Sequence, residues 1–230
     1  MMRMAILVTS GILASEMIWQ LYKVYKKRAR RLAINTANGC AQQLCKGAEK
    51  GKIYEVMFFM QSSSLCRSHL GIKKVCTKPN CAVGYLMRIL DCLNSATDTL
   101  DLCMYFFTFP DLANAIINAK KRNVVVRLIL DESMAKNDIS QIMNFYKEGI
   151  RPISKRLDTL MHHKFVIIDN KIVITGSVNW TKSAFFGNFE NILLTNDPAI
   201  VQPFVKEFEN LWTLLSAVTV ETNLSNSNIE

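Results

Sequence analysis

Apolar positions along the 230-residue chain fall into short runs of two different periods. IYEVMFF from Ile53, TLDLCMYFF from Thr99, VVVRLIL from Val124, KFVIID from Lys164, KIVITG from Lys171 and NILLT from Asn191 are compact and rich in branched and aromatic residues, which predicts strands. Between them, AVGYLMRILDCLNSA places Val83, Leu86, Met87, Leu90 and Leu93 at helical spacing. DLANAIINAKKR and DISQIMNFYKEG read as helices, and RPI from Arg151 as a short strand. AIVQPFVKEFENLWTLL is a closing amphipathic helix with Phe204, Phe208, Leu211 and Leu215 on one face. Such alternation predicts an α/β domain, a sheet covered by helices.

The first residues follow another rule. MAILVTSGILASEMIWQLY, from Met4 to Tyr22, is about long enough to cross a bilayer core as a helix, although Glu16 and Gln20 weaken it. Trp19 and Tyr22 sit where an interfacial aromatic belt belongs, and a basic cluster follows, which predicts a single-pass anchor with the bulk of the chain on the cytosolic side. An amphipathic helix lying on the membrane surface is the alternative. A secretory signal would carry its positive charge first, not last. Residues 1–31 are thus expected to be anchor and basic flank, 32–52 a linker, 53–215 the folded domain and 216–230 a disordered polar tail.

Charge changes little in this picture. The net charge is +9, but Arg3, Lys23, Lys26, Lys27, Arg28, Arg30 and Arg31 face only Glu16 in the first 31 residues, leaving +3 for the remainder. A polyanion partner therefore has to be argued from a local groove. Lys120, Lys121, Arg122, Lys155, Arg156, Lys171 and Lys182 lie in predicted turns and are candidates to line one, or simply solvated loop charges. Phe185 and Phe186 are candidates to stack bases or touch lipid.

The chemistry concentrates in HHKFVIIDNKIVITGSVNW, from His162 to Trp180. In an extended chain, His162 and Lys164 share a face and His163 takes the other. A phosphodiester anion needs cations and donors aimed at its oxygens, which Lys164 and the Asn179 amide supply. An imidazole can attack phosphorus when its other nitrogen is held by an acceptor, and Glu190 in NFENILL is the candidate acceptor. Asp169 is expected to make structural hydrogen bonds at its turn. Ser177 either uses its hydroxyl or shapes the turn after Gly176.

CRSHLGIKKVCTKPNC adds Cys66, His69, Cys76 and Cys81, four soft ligands that suit a closed, structural tetrahedral zinc stapling a loop poor in apolar residues. Free thiols are the alternative, and Cys40 or Cys45 can replace one ligand. Cys92 and Cys103 lie in apolar runs and are expected in the core.

His162, Lys164, Asp169, Gly176, Ser177 and Asn179 spell H-x-K-x4-D-x6-G-S-x-N, and the chain resembles the phospholipase D superfamily on these six positions. With its short anchor, basic flank, Cys/His insert at 66–81 and single motif, it resembles the Zucchini or mitochondrial phospholipase D family across nearly its whole length. The resemblance implies a phospholipase D fold, a mixed sheet flanked by helices. It implies His162 as nucleophile of a phosphohistidine intermediate, a second histidine as acid and then base, Glu190 as the acid orienting the nucleophile, and no catalytic metal. One motif supplies one such histidine, so a homodimer that apposes two copies is implied. The family further implies attachment to the mitochondrial outer membrane and a germline role in piRNA production. Its implied substrates are single-stranded RNA (piRNA precursors), cut endonucleolytically and mildly favoured by the loop cations, or cardiolipin, hydrolysed to phosphatidic acid. A catalytically idle RNA-binding or membrane scaffold is the reading from another class; the intact His162, Lys164, Asn179 and Glu190 argue against it.

Overall fold

The structure is a computed structural model that describes residues 19–20, 22–23, 51–70, 76, 78, 80–135, 141–155 and 158–226, with the last helix's side chains described to 216. Most of the predicted anchor, most of the linker, Cys40 and Cys45 lie outside the described residues. Among the described residues no helix is long and apolar enough to cross a membrane.

Six strands form one sheet: β1 (Tyr54–Phe59), β2 (Thr99–Met104), β3 (Val125–Leu130), β4 (Lys164–Ile168), β5 (Ile172–Gly176) and β6 (Glu190–Thr195). Their spatial order is β1-β6-β5-β4-β2-β3. Only β2 and β3 run parallel; the other neighbours are antiparallel, so the sheet is mixed as expected. The parallel pair requires a crossover, supplied by α2 (Pro110–Lys121), which starts with proline at its first turn and buries Leu112, Ile116 and Ala119. α1 (Ala82–Asn94) packs on the same side through Leu86, Ile89 and Leu93.

Register divides the side chains into two layers. Met57, Phe59, Leu102, Leu128, Val166, Ile174 and Ile192 face α1 and α2. Cys103, Ile129, Phe165, Ile167 and Val173 face the closing helix α6 (Pro198–Asn226), which covers them with Val201, Phe208 and Leu215. Cys92 and Cys103 are buried. On this second face Asp101, 1% exposed, is held by Arg127 through bonds of 2.7 and 2.8 Å, and Arg127 also reaches Glu209 on α6. α6 packs on β5, β4 and β2. Beyond it, Tyr54, Val56 and Phe58 line up on β1 at 54–59% exposure.

Some elements differ from expectation. α6 passes Ser216, where the polar tail was placed, because neither proline nor glycine interrupts the chain between Phe204 and Asn226. RPI forms only a bridge, Ile129 to Ile153. Three short helices escaped the hydrophobic pattern, a 3-10 segment (Gln61–His69), α3 (Glu132–Ala135) and α5 (Lys182–Gly187), whereas α4 (Ile142–Lys147) is the described part of the expected DISQIMNFYKEG helix. α5 buries Phe185 and Phe186 against Phe59 and Phe109, so neither phenyl ring is available to stack a base or touch lipid.

Candidate active site

The motif is built on one rim of the sheet. β4 begins there with Lys164, β5 ends there with Gly176, and β6 begins there with Glu190. Strand pairing therefore brings together residues far apart in sequence. Opposite β4, the Tyr105 amide donates to the His163 carbonyl at 3.0 Å, extending the ladder past the end of β2. His162 and His163 thus remain extended and alternate in facing. The His163 ring lies 5.5 Å from Phe165 on the α6 side, with its Nε2 3.5 Å from Glu207. The exposed His162 ring instead packs against Tyr105, centroids 4.5 Å apart, and the Lys164 ammonium lies 5.1 Å from the same Tyr105 ring. His162 and Lys164 share a side, as the spacing predicts.

Lys164 Nζ donates to the His162 carbonyl at 2.9 Å. Burial lowers its pKa from the usual lysine value, while the charge of Glu190 works in the opposite direction. Ser177, just past β5, donates from Oγ to Glu190 Oε2 and accepts from the Asn191 amide at 3.1 Å. Asn188 Nδ2 donates to the other Glu190 oxygen at 2.9 Å. Glu190 is therefore at the site, but its partners there are Ser177 and Asn188; no bond links it to His162 within the chain. Asn179 follows in a loop pinned by Trp180, whose carbonyl accepts from the amides of Thr108 and Phe109. Asn179 Oδ1 is buried with no partner.

Asp169 lies at the opposite end of β4. Asp169 and Asn170 both take positive φ, the paired left-handed conformation of a tight hairpin turn. The carboxylate accepts from the amides of Thr97, Asp98 and Thr99 and from the Thr97 hydroxyl, at 2.8–3.2 Å. Burial would raise its pKa, but these donors together hold it below the ordinary aspartate value. Its place is structural.

The loop cations part company. Lys121 pairs with Glu148 at 3.1 Å, Arg122 donates to the carbonyls of Asn94 and Ala96, and Lys182 lies over Phe109. Lys155 is different: its Nζ is buried with no partner among the described residues.

The ligand atoms of Cys66, His69, Cys76 and Cys81 all lie within 4.8 Å of one another. Zinc–sulfur bonds of about 2.3 Å in a tetrahedron separate ligands by about 3.8 Å, so only small adjustments are needed. His69 Nδ1 is buried without a hydrogen bond among the described residues, as a ring nitrogen that ligates a metal would be. The four residues fit a zinc ion, which would tie the 3-10 segment to the start of α1 and leave no open coordination position.

Residues 89–212 match the family described as cardiolipin synthase, PLD-like domain. A mitochondrial cardiolipin hydrolase of Chlamydomonas reinhardtii is 32% identical over 209 residues, covering 89% of this chain and 92% of the relative. The chain belongs to the phospholipase D superfamily, with the mitochondrial cardiolipin hydrolases. The Xenopus laevis mitochondrial cardiolipin hydrolase is 38% identical over 159 residues, covering 69% of this chain and 76% of that protein. Among solved structures, the phospholipase D family member Nuc from Salmonella typhimurium superposes with a TM-score of 0.55 at 25% identity, covering 70% of this chain and 95% of Nuc. NucT from Helicobacter pylori, at 23% identity and a TM-score of 0.57 over 70% of this chain and 97% of its own, shares the phospholipase D fold.

Sequence reasoning passed over two residues at this rim, Asn188, which bonds Glu190, and Tyr105, which lies against His162. Tyr105 lay inside the apolar run TLDLCMYFF, indistinguishable from a core residue before strand pairing set it beside His162.

Proposed function

We propose that this phospholipase D superfamily hydrolase acts at mitochondria on cardiolipin, releasing phosphatidic acid through a phosphohistidine intermediate. The observation that carries the chemistry is the gathering of His162, Lys164, Ser177, Asn179 and Glu190 at one rim from three adjacent strands. His162 attacks phosphorus, the phosphorus–oxygen bond to the leaving group breaks, and the leaving oxygen takes a proton from a second histidine. That histidine then accepts a proton from water as the water displaces His162. Lys164 and the Asn179 amide hold the non-bridging oxygens, so the reaction uses no catalytic metal. A second chain in a homodimer supplies the second histidine, because His163 turns to the α6 side and His69 belongs to the Cys/His cluster.

The names of the relatives support the lipid substrate. So does the exposed apolar row of Tyr54, Val56 and Phe58 on the edge strand β1, whose last member pairs with Asn191 next to Glu190, with Met60 just after β1 and the 79%-exposed Phe189 just before β6. Single-stranded RNA is the second reading. It loses Phe185, Phe186 and the paired loop cations, and retains Lys155, whose buried Nζ has no partner among the described residues.

Purified wild-type and His162→Asn protein, offered cardiolipin vesicles or labelled single-stranded RNA in chelator, tests the proposal. Wild type is expected to release phosphatidic acid and His162→Asn to be inactive while unfolding at the wild-type temperature. RNA cleavage without lipid turnover would transfer the assignment to RNA, and turnover by His162→Asn would end the mechanism.

A further inference from the structure

We infer that Tyr105 is the positioning residue of the nucleophile, its ring fixing both the imidazole of His162 and the ammonium of Lys164 before substrate arrives. The inference rests on the phosphodiesterase reading and adds to it a residue outside the H-x-K-x4-D-x6-G-S-x-N pattern.

An exposed imidazole on an extended segment rotates about two bonds, whereas in-line attack needs one nitrogen aimed at phosphorus. A hydrogen-bond acceptor ordinarily supplies the constraint. Within this chain it does not: Glu190 is occupied by Ser177 and Asn188, and no described residue hydrogen-bonds the His162 ring. What the ring does have is Tyr105, at a centroid separation of 4.5 Å and an interplanar angle of 60°, within the range that aromatic pairs favour.

The Tyr105 ring is itself well placed to serve as a reference surface. Its amide is tied to the His163 carbonyl at 3.0 Å, so the tyrosine backbone is anchored to the residue next to the nucleophile, just past the end of the β2–β4 ladder. The preceding residue, Met104, is fully buried and paired with Lys164. The ammonium of Lys164 stands 5.1 Å from the same ring, a distance at which the negative π face attracts a cation. One ring thus sets the spacing between the group that attacks phosphorus and a group that grips its oxygens. Tyr105 is half-buried and no side-chain hydrogen bond to it is found among the described residues, so the aromatic face, not the oxygen, carries the role.

The test uses the full-length chain with bis(p-nitrophenyl) phosphate, a phosphodiester whose cleavage depends on neither the lipid nor the RNA assignment. Tyr105→Leu and Tyr105→Met are expected to lower kcat about 10–100-fold with KM near wild type, the scale of a misplaced reacting group. Tyr105→Phe is expected to restore wild-type kcat. Imidazole proton spectra give an independent readout, because the chain has three histidines and His162→Asn identifies one of them. The His162 signals should carry a ring-current shift in wild type and Tyr105→Phe, and lose it in the Leu and Met variants. Full kcat in both aliphatic variants, equal impairment of Tyr105→Phe, or an unmoved His162 signal each overturns the inference. Wild-type protein that cleaves no phosphodiester, or His162→Asn that still does, instead removes the catalytic reading on which the role rests.

Discussion

At Gly176 the backbones of β5 and β6 approach so closely that an added Cβ would collide with the Asn191 carbonyl. The same carbonyl accepts from the Ser177 amide, so the missing side chain lets Ser177 reach Glu190. Gly176→Ala should lower stability by about 2–3 kcal/mol, the scale of core overpacking, and reduce activity beyond what stability explains; urea unfolding beside steady-state kinetics checks both. Asp169 gives a pH dependence of definite sign. Its carboxyl is held below the ordinary aspartate value, so its contribution is complete above that value and is lost as pH falls through the folded pKa. The stability gap between wild type and Asp169→Ala should therefore be widest near neutrality and shrink toward pH 2, as urea midpoints across that range would report. His162 and Lys164 were legible because alternation along an extended chain is a local rule, and Asp169 because a turn aspartate has few other uses. Tyr105 and the Ser177–Glu190 bond were not, since both depend on which strands pair.

Elements tell a similar story at longer range. The main strands and α1, α2 and α6 announced themselves by period, yet nothing local placed β1 next to β6 at the far edge from β2 and β3, more than a hundred residues from its partner. Short helices such as α5 have too few residues to display a period at all. The Cys/His cluster was visible as spacing, and the fold brings its four ligands together around the entry to α1. Because it ties the 3-10 segment to the start of α1 and its four ligands lie outside the motif, its loss should act on stability first. Cys81→Ser should bind less zinc by elemental analysis and unfold at lower temperature, while protein that remains folded keeps much of its turnover; unchanged zinc content and melting would contradict a structural metal.

For the whole molecule, the question is how one motif completes a two-histidine reaction. If two chains share the site, co-expressing His162→Asn with wild type should leave mixed dimers inactive, so that activity follows the square of the wild-type fraction. A linear dependence, or isolated mixed dimers with half the wild-type activity, would mean that each chain works alone. The rim also has a consequence for handling. β1 is an outermost strand with no further strand beside it among the described residues, and its exposed face is oily along its length. Such a border invites other polypeptides to pair with it. A soluble fragment beginning near Gly51 would accordingly tend to clump when concentrated, and detergent should disperse it.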